Sequence, residues 1–347
     1  MKLSTEPTKL VTRNGLIRGG VFIALLAALP GIFPQHWLWN LMFFTILYAT
    51  MAVSWNYIGG FGGYPSLGHA AFFGIGAYTE ALFFKTDHVL HSGYEPFFML
   101  PVIGLICALL AIPIGMVAMR TRADVFAIVT ITLLFVTQTL AFNLRNLTGG
   151  AQGAAVVQPK FDVKFFELPF YYTAAIMLLF AFALSYYYSK SKIGLSLTAI
   201  RADEDKAKGV GVRTLQVKVI AFSTSVAFTG MAGATWAFYI GFIYPQFAVD
   251  PLITITMVLM TFLGGRATLW GPVLGAVILM PAQQLLAYYV GGSQLYLLAY
   301  AAIFLITILL LPRGILPTVT NKRRLKALAL KSVAAKASDP LAEGQSA

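Results

Sequence analysis

Apolar stretches of the length that spans a bilayer follow one another along most of this 347-residue chain, and nothing constrains its fold more. Backbone placed in hydrocarbon has no water to bond, so each stretch must satisfy its own N–H and C=O groups, which an α-helix does. Hydrophobic residues make up 58% of the chain and charged residues 11%. Soluble domains run at about 45–50% and about 25%, so composition alone places the chain in a membrane. About 20 apolar residues cross one hydrocarbon core. Ten spans fit on that measure: 17–34, 37–58, 66–84, 96–119, 124–142, 168–189, 219–242, 252–264, 267–288 and 294–312. The eighth is short and runs into Gly264-Gly265, which predicts a broken or half-depth helix. The fold class is an all-α polytopic membrane protein. It divides into a short tail (1–16), a membrane domain (17–312) and a basic tail without predicted structure (313–347).

Charge orients the spans. The net charge of +12 points to nucleic acid only until the cations are located. With both ends cytoplasmic, 21 of the 25 Lys and Arg fall on the cytoplasmic side, leaving Lys85, Arg145, Lys160 and Lys164 outside. Short cytoplasmic segments of membrane proteins carry such an excess, so the basic partner is membrane lipid and nucleic acid is excluded. The first apolar run follows Lys9, Arg13 and Arg18 as a signal peptide's would, but no small-residue cleavage site follows it, so it reads as an uncleaved helix. Cys107 is the only cysteine, which rules out an internal disulfide and a cysteine metal site.

Two glycine-rich interruptions stand at corresponding places in the two halves. One runs from Gly59 through Pro65, Ser66, Gly68 and His69 to Gly74 and Gly76; the other runs from Gly264-Gly265 to Gly275. Paired interruptions of this kind mark discontinuous helices along a translocation path, while close packing through small residues explains each one separately. The two readings weigh equally here. Hydroxyl and amide groups that could face a solute lie on the fifth span (Thr130, Thr132, Thr137, Gln138, Thr139), the eighth (Thr254, Thr256, Thr261) and the ninth (Gln283, Gln284). Such side chains more often bond to backbone or to a neighbouring helix.

The chain has no G-x-x-x-x-G-K-[ST] loop and no H-E-x-x-H, so it is not read as an enzyme and no cofactor is assigned to it. Ionisable groups inside membrane spans usually serve function. Glu80, Asp124 and His69 all fall near span ends. For His69 a local hydrogen bond to the glycine-rich turn is expected, and for Glu80 a side chain reaching out to the interface.

One charged block remains, Lys190 to Lys218, with seven basic and three acidic residues. Asp203 is expected to cap a short helix with Glu204 and Asp205 in its first turn and Lys206 and Lys208 at its end. This order complements the helix dipole, and Glu204–Lys208 is a favourable i,i+4 pair. Gly209 or Gly211 ends the helix. Ile200, Val210 and Val212 flank it as a surface for docking in a partner's groove; a solvated loop that only sets topology is the plainer reading.

Ser66-Leu-Gly-His-Ala-Ala-Phe-Phe-Gly-Ile-Gly-Ala-Tyr78, Ala199-Ile-Arg-Ala-Asp-Glu-Asp205, Ala232-Gly-Ala234 and Leu263-Gly-Gly265 with Leu269-Trp-Gly-Pro-Val-Leu-Gly275 resemble branched-chain amino acid ABC importer permeases of the LivM type, over residues 37 to 312. The resemblance implies a multi-pass permease of the bacterial inner membrane working by alternating access. Its partners would be a second permease of the LivH type, two cytoplasmic ATPases that use Mg-ATP, and a periplasmic solute-binding protein. Through it the 196–212 loop, with Ile200, Arg201, Asp203, Glu204, Asp205, Lys206, Lys208, Gly209 and Gly211, takes the ATPase-coupling role. Ser66, Gly68, His69, Gly74, Gly76, Thr137, Gln138, Gly264 and Gly265 are the candidate path. Lys206-Ala-Lys-Gly-Val-Gly departs from the commoner alanine- and glutamate-rich run and makes this surface more basic. Related permeases carry urea or short amides. A self-sufficient channel or carrier is the remaining class, opposed by the lack of a mid-membrane ionisable pair.

Overall fold

The computed structural model describes residues 13–32, 35–84, 93–159, 161–290 and 314–319, with Ala302 and Leu305. The helices in chain order are α1 (Arg13–Ile32), α2 (His36–Trp55), α3 (His69–Phe83), α4 (Glu95–Ala118), α5 (Ala123–Asn143), α6 (Arg145–Thr148), α7 (Glu167–Lys190), α8 (Lys192–Ala202), α9 (Glu204–Gly209), α10 (Thr214–Ile240), α11 (Pro245–Ala248), α12 (Pro251–Gly264) and α13 (Gly271–Val290). A π-helical segment, Asn56–Phe61, continues α2. Two-residue strands β1 (Ala154–Ala155) and β2 (Phe242–Ile243) pair antiparallel.

Side-chain contacts fix the directions. His36 Nδ1 lies 3.1 Å from Glu167 Oε2 at the starts of α2 and α7. Near their ends Tyr57 meets Tyr188 edge-on at 5.1 Å, so the two helices run together. α10 runs against them, with Asn40 Nδ2 donating to Tyr239 Oη at 2.6 Å and Ser225 Oγ donating to the Ser54 carbonyl at 2.7 Å. α4 is antiparallel to α10, because Gly104 faces Met231 while Gly115 faces Val219 and Phe222. α3 runs with α10, held by His69 beside Ser225 and Gly76 beside Gly230. α12 runs with α2, and α13 returns along α12 through Gly264 against Gly271 and Gly275 against Met260. The ends of α2, α4, α7 and α12 and the start of α10 thereby share one end of the bundle, the loop end. β1, β2 and the starts of α2 and α7 lie at the other.

α10 forms the centre of the packing, in contact with α2, α3, α4 and α7. It does so through small residues: an added Cβ on Gly76 would lie 2.0 Å from the Gly230 carbonyl oxygen, and one on Gly233 would lie 2.0 Å from that of Phe73. Removing side chains at these crossings lets backbones approach and gain dispersion contact, which is what binds helices when lipid offers no hydrophobic contrast.

Seven described segments are long and apolar enough to cross a membrane: His36–Phe61, Glu95–Ala118, Ala123–Asn143, Val163–Lys190, Thr214–Ile240, Pro245–Gly264 and Gly271–Tyr289. The predicted third span does not reach that length. Its helix α3 has 15 residues, because residues 62–68 form no helix, with Gly63 at φ +74° and Tyr64 ahead of Pro65; the residue before a proline is disfavoured in a helix. α12, the predicted eighth span, has 14 residues, with Asp250 Oδ1 accepting from the Leu252 N–H at 2.8 Å as its N-cap. The tenth span, 294–312, falls outside the described residues apart from Ala302 and Leu305, as do nearly all of both predicted tails.

Candidate functional site

At the loop end the chain leaves α7 and builds two short helices before entering α10. Ser191 Oγ accepts from the Gly194 N–H at 3.3 Å and caps α8. Leu197 and Ile200 on α8 are buried, while Leu195 on its other face is exposed. Asp203 is extended, and its Oδ1 accepts from the Lys206 N–H at 3.0 Å. That bond satisfies one of the free donors at the start of α9, as the sequence order anticipates, and holds the Asp203 carboxyl below the usual carboxylate range. Lys206 pairs with Asp203 at 3.1 Å and Lys208 with Glu204 at 3.3 Å. α9 ends at Gly209, and Gly211, at φ +87°, turns the chain toward α10.

One face of this helix turns inward. Glu204 Oε1 lies 2.8 Å from Nζ of Lys218, whose side chain is 1% exposed, and Glu204 Oε2 accepts from the Tyr64 hydroxyl. The same Lys218 ammonium donates to the Met119 carbonyl at 2.8 Å and to Tyr64 Oη at 3.0 Å, and lies 4.2 Å from the Tyr64 ring centroid. Burial opposes ionisation of Glu204, but the hydrogen bonds from Lys218 and Tyr64 and the Lys218 charge overcome it and hold the carboxyl down at about 2. The resulting stabilisation is full above the ordinary glutamate value and is lost as pH falls toward about 2. Burial, then the bond to Glu204 and its charge, push the Tyr64 hydroxyl up. Arg201 Nη1 donates to the Gly60 carbonyl at 3.0 Å, on the π-helical segment. Burial first, and Arg266 second, lower the guanidinium pKa. Ile200, expected to flank a docking surface, is buried against the bundle, and Glu204 turns toward Lys218. Leu195, Asp205, Lys206, Lys208 and Val210 are among the residues exposed on the helix pair, with Asp205 and Lys206 side chains 87% and 86% exposed.

The two glycine-rich interruptions are real helix breaks, and they touch. Asn56 Oδ1 accepts from the Ala267 N–H at 2.8 Å, and Asn56 Nδ2 donates to the Thr268 carbonyl at 3.0 Å. One amide thus supplies the partners that the turn between α12 and α13 lacks. Gly265 adopts φ +122° in that turn, a conformation a Cβ would strain.

The candidate path residues are placed in packed surroundings. His69 is buried between Ser66 Oγ at 2.9 Å and Ser225 Oγ at 2.7 Å, so its bonding reaches both the turn and α10. Gly68 packs on Thr130, Gly74 on Val249, and Gly264 on Gly271. Thr137 Oγ1 donates to the Leu133 carbonyl at 2.8 Å, and Gln138 Nε2 to that of Val249 at 3.2 Å. Thr254 Oγ1 accepts from the Ala70 N–H at 2.9 Å, filling an open donor at the start of α3.

Glu80 departs from expectation. Its side chain does not reach an interface: both carboxylate oxygens are buried without a hydrogen-bond partner among the described residues. α3 packs against α4, α5, α10 and α12, and Glu80 lies on its packed face, whereas Leu82 and Phe83 beside it are exposed. Lys218 and Tyr64 are the residues that sequence reasoning passed over. A lone lysine in the first turns of an apolar helix requires a partner, and that was the available signal. Among the described residues no cluster of His, Cys, Asp or Glu could hold a metal ion.

Apolar helices long enough for a bilayer, two broken helices joined to each other, and a capped helix pair keyed into one end define a polytopic membrane protein. The chain belongs to the family described as "branched-chain amino acid transport system / permease component", which matches residues 37–311. It is 25% identical over 311 residues to the high-affinity branched-chain amino acid transport system permease protein LivM of Salmonella typhimurium, covering 81% of this chain and 70% of that one. The Escherichia coli K12 protein of the same name is 26% identical over 312 residues, with the same shares covered. No solved structure matches significantly.

Proposed function

We propose that this chain is the multi-pass inner-membrane permease subunit of an ATP-driven importer for branched-chain or closely similar amino acids. The observation that carries this reading is the capped α8–α9 pair, keyed to the bundle on one face and open on the other, in a chain of this permease family. Two cytoplasmic ATPases would bind at the loop end, and a second permease of the LivH type would complete the membrane part. A solute-binding protein would deliver substrate at the end bearing β1 and β2. Arg120, Arg122 and Arg266 join the Lys190–Lys218 block at the loop end, whereas Arg145 and Lys164 belong to the other. That asymmetry supports a cytoplasmic loop end, and it supports ten spans with both termini inside.

ATP-driven closure of the partner subunits would displace α9 and shift the membrane helices between inward- and outward-facing arrangements. The Leu195, Asp205, Lys206 and Val210 surface would meet the ATPase, while Ser66, His69, Thr137 and Gln138 would lie along or beside the path.

The test is reconstitution of the complex in proteoliposomes with its binding protein. Uptake of labelled leucine that needs ATP is the expected result. Uptake of urea or a short amide in place of leucine would move the substrate to that class, and uptake without ATPase subunits would establish a self-sufficient carrier and overturn the reading.

A further inference from the structure

We propose that the Glu204–Lys218 ion pair, closed by Tyr64 and the Met119 carbonyl, is the joint through which movement of the cytoplasmic helix pair reaches the membrane helices. The inference rests on the importer reading and adds to it three positioning residues: Lys218, Tyr64 and Glu204 in an inward role.

The geometry separates this pair from the other ion pairs of the loop. Lys206–Asp203, Lys208–Glu204 and Lys208–Asp205 are exposed and join residues three or four apart, so they stiffen α9 and go no further. Lys218–Glu204 leaves the loop. An ammonium has three donors, and here each has its own acceptor: Glu204 Oε1 at 2.8 Å, Met119 O at 2.8 Å and Tyr64 Oη at 3.0 Å. The acceptors lie on α9, on the residue that ends α4, and on the non-helical segment ahead of α3. The donor lies in the second turn of α10, the helix at the centre of the bundle.

Charge-assisted hydrogen bonds are short-ranged and directional. A displacement of α9 by about an ångström, a third of a hydrogen-bond length, either breaks the Glu204–Lys218 contact or draws Lys218 along. Breaking it would strand a buried cation, which is strongly unfavourable. Movement therefore passes to α10, and through Met119 and Tyr64 to α4 and to the break ahead of α3. The Arg201 bond to Gly60 adds a second tie at the π-helical segment.

A brace that only stabilises the fold would have the same contacts, so the test reads coupling rather than stability. In the reconstituted complex, substrate molecules imported per ATP hydrolysed are measured for the unaltered chain, Glu204→Gln, Lys218→Met, the double variant and Tyr64→Phe. Co-purification of the ATPase subunits is scored for each. Glu204→Gln is expected to keep the ATPases bound and still hydrolysing while import per ATP falls about tenfold or more, within the loss that removing one partner of a buried pair can cause. The double variant is expected to be no worse than Lys218→Met alone, because contacting residues are non-additive. Tyr64→Phe, which removes one hydroxyl and keeps the ring, is expected to lower the ratio less. An unchanged ratio in Glu204→Gln and Tyr64→Phe, or single losses that multiply in the double variant, would overturn the joint. If the unaltered chain shows no ATP-dependent import, the importer reading fails instead, and the two failures are thereby told apart.

Discussion

His69 shows how a single side chain can satisfy two elements at once. Its two ring nitrogens meet Ser66 ahead of α3 and Ser225 on α10, and the Ser225 hydroxyl donates a hydrogen bond to the Ser54 carbonyl on α2. The chain of bonds lies wholly inside the bundle, where an unpaired polar group has no water to turn to. His69→Ala is expected to cost about 2–4 kcal/mol, from the cavity and the stranded serine hydroxyls together. Thermal unfolding in detergent measures it. An importer that lost transport with its melting temperature unmoved would show instead that His69 contacts substrate.

At the scale of elements, the two broken helices form one unit. α2 loosens into a π-helical segment and a non-helical run before α3, α12 stops at Gly264, and Asn56 ties the first break to the turn after the second. Glycine does different work at different places in this arrangement. Gly76 permits contact between α3 and α10, since a Cβ there would meet the Gly230 carbonyl oxygen, whereas a Cβ on Gly209 at the end of α9 would meet nothing within 4 Å. Gly76→Ala is therefore expected to destabilise by about 1–3 kcal/mol or more, through overpacking against backbone that cannot rotate away. Gly209→Ala is expected to stay within about 0.5 kcal/mol of the parent, as surface substitutions do. Melting temperatures and recovery of monodisperse protein after detergent extraction compare the two, and equal losses would contradict the packing argument.

For the whole molecule, the decisive property is that the two ends differ. The loop end gathers the breaks, the capped helices and most described cations, and the other end carries β1, β2 and the starts of α2 and α7. Placed in a Cys107→Ala background, a cysteine at Lys206 is expected to react with a membrane-impermeant maleimide only in inverted vesicles. One at the exposed Val163 is expected to react only in intact spheroplasts. Labelling of both from the same side would refute the orientation.

The sequence by itself determined that the chain is helical and membrane-bound, where most spans run, and that a helix capped by Asp203 lies between two apolar runs. Those features are local: span length, charge balance and capping are properties of neighbouring residues. It marked both glycine-rich interruptions but left open whether they serve a path or packing, because a glycine's neighbour across a helix crossing is not written beside it. Only the tertiary structure decided that the breaks meet at Asn56, that α3 is too short for its predicted span, that Glu80 is enclosed, and that Glu204 turns inward to Lys218 fourteen residues away. The direction of Glu204 depends on where Tyr64 and Met119 arrive from other segments of the chain. A burial that brings four elements to one ammonium is settled by packing, and no local pattern encodes it.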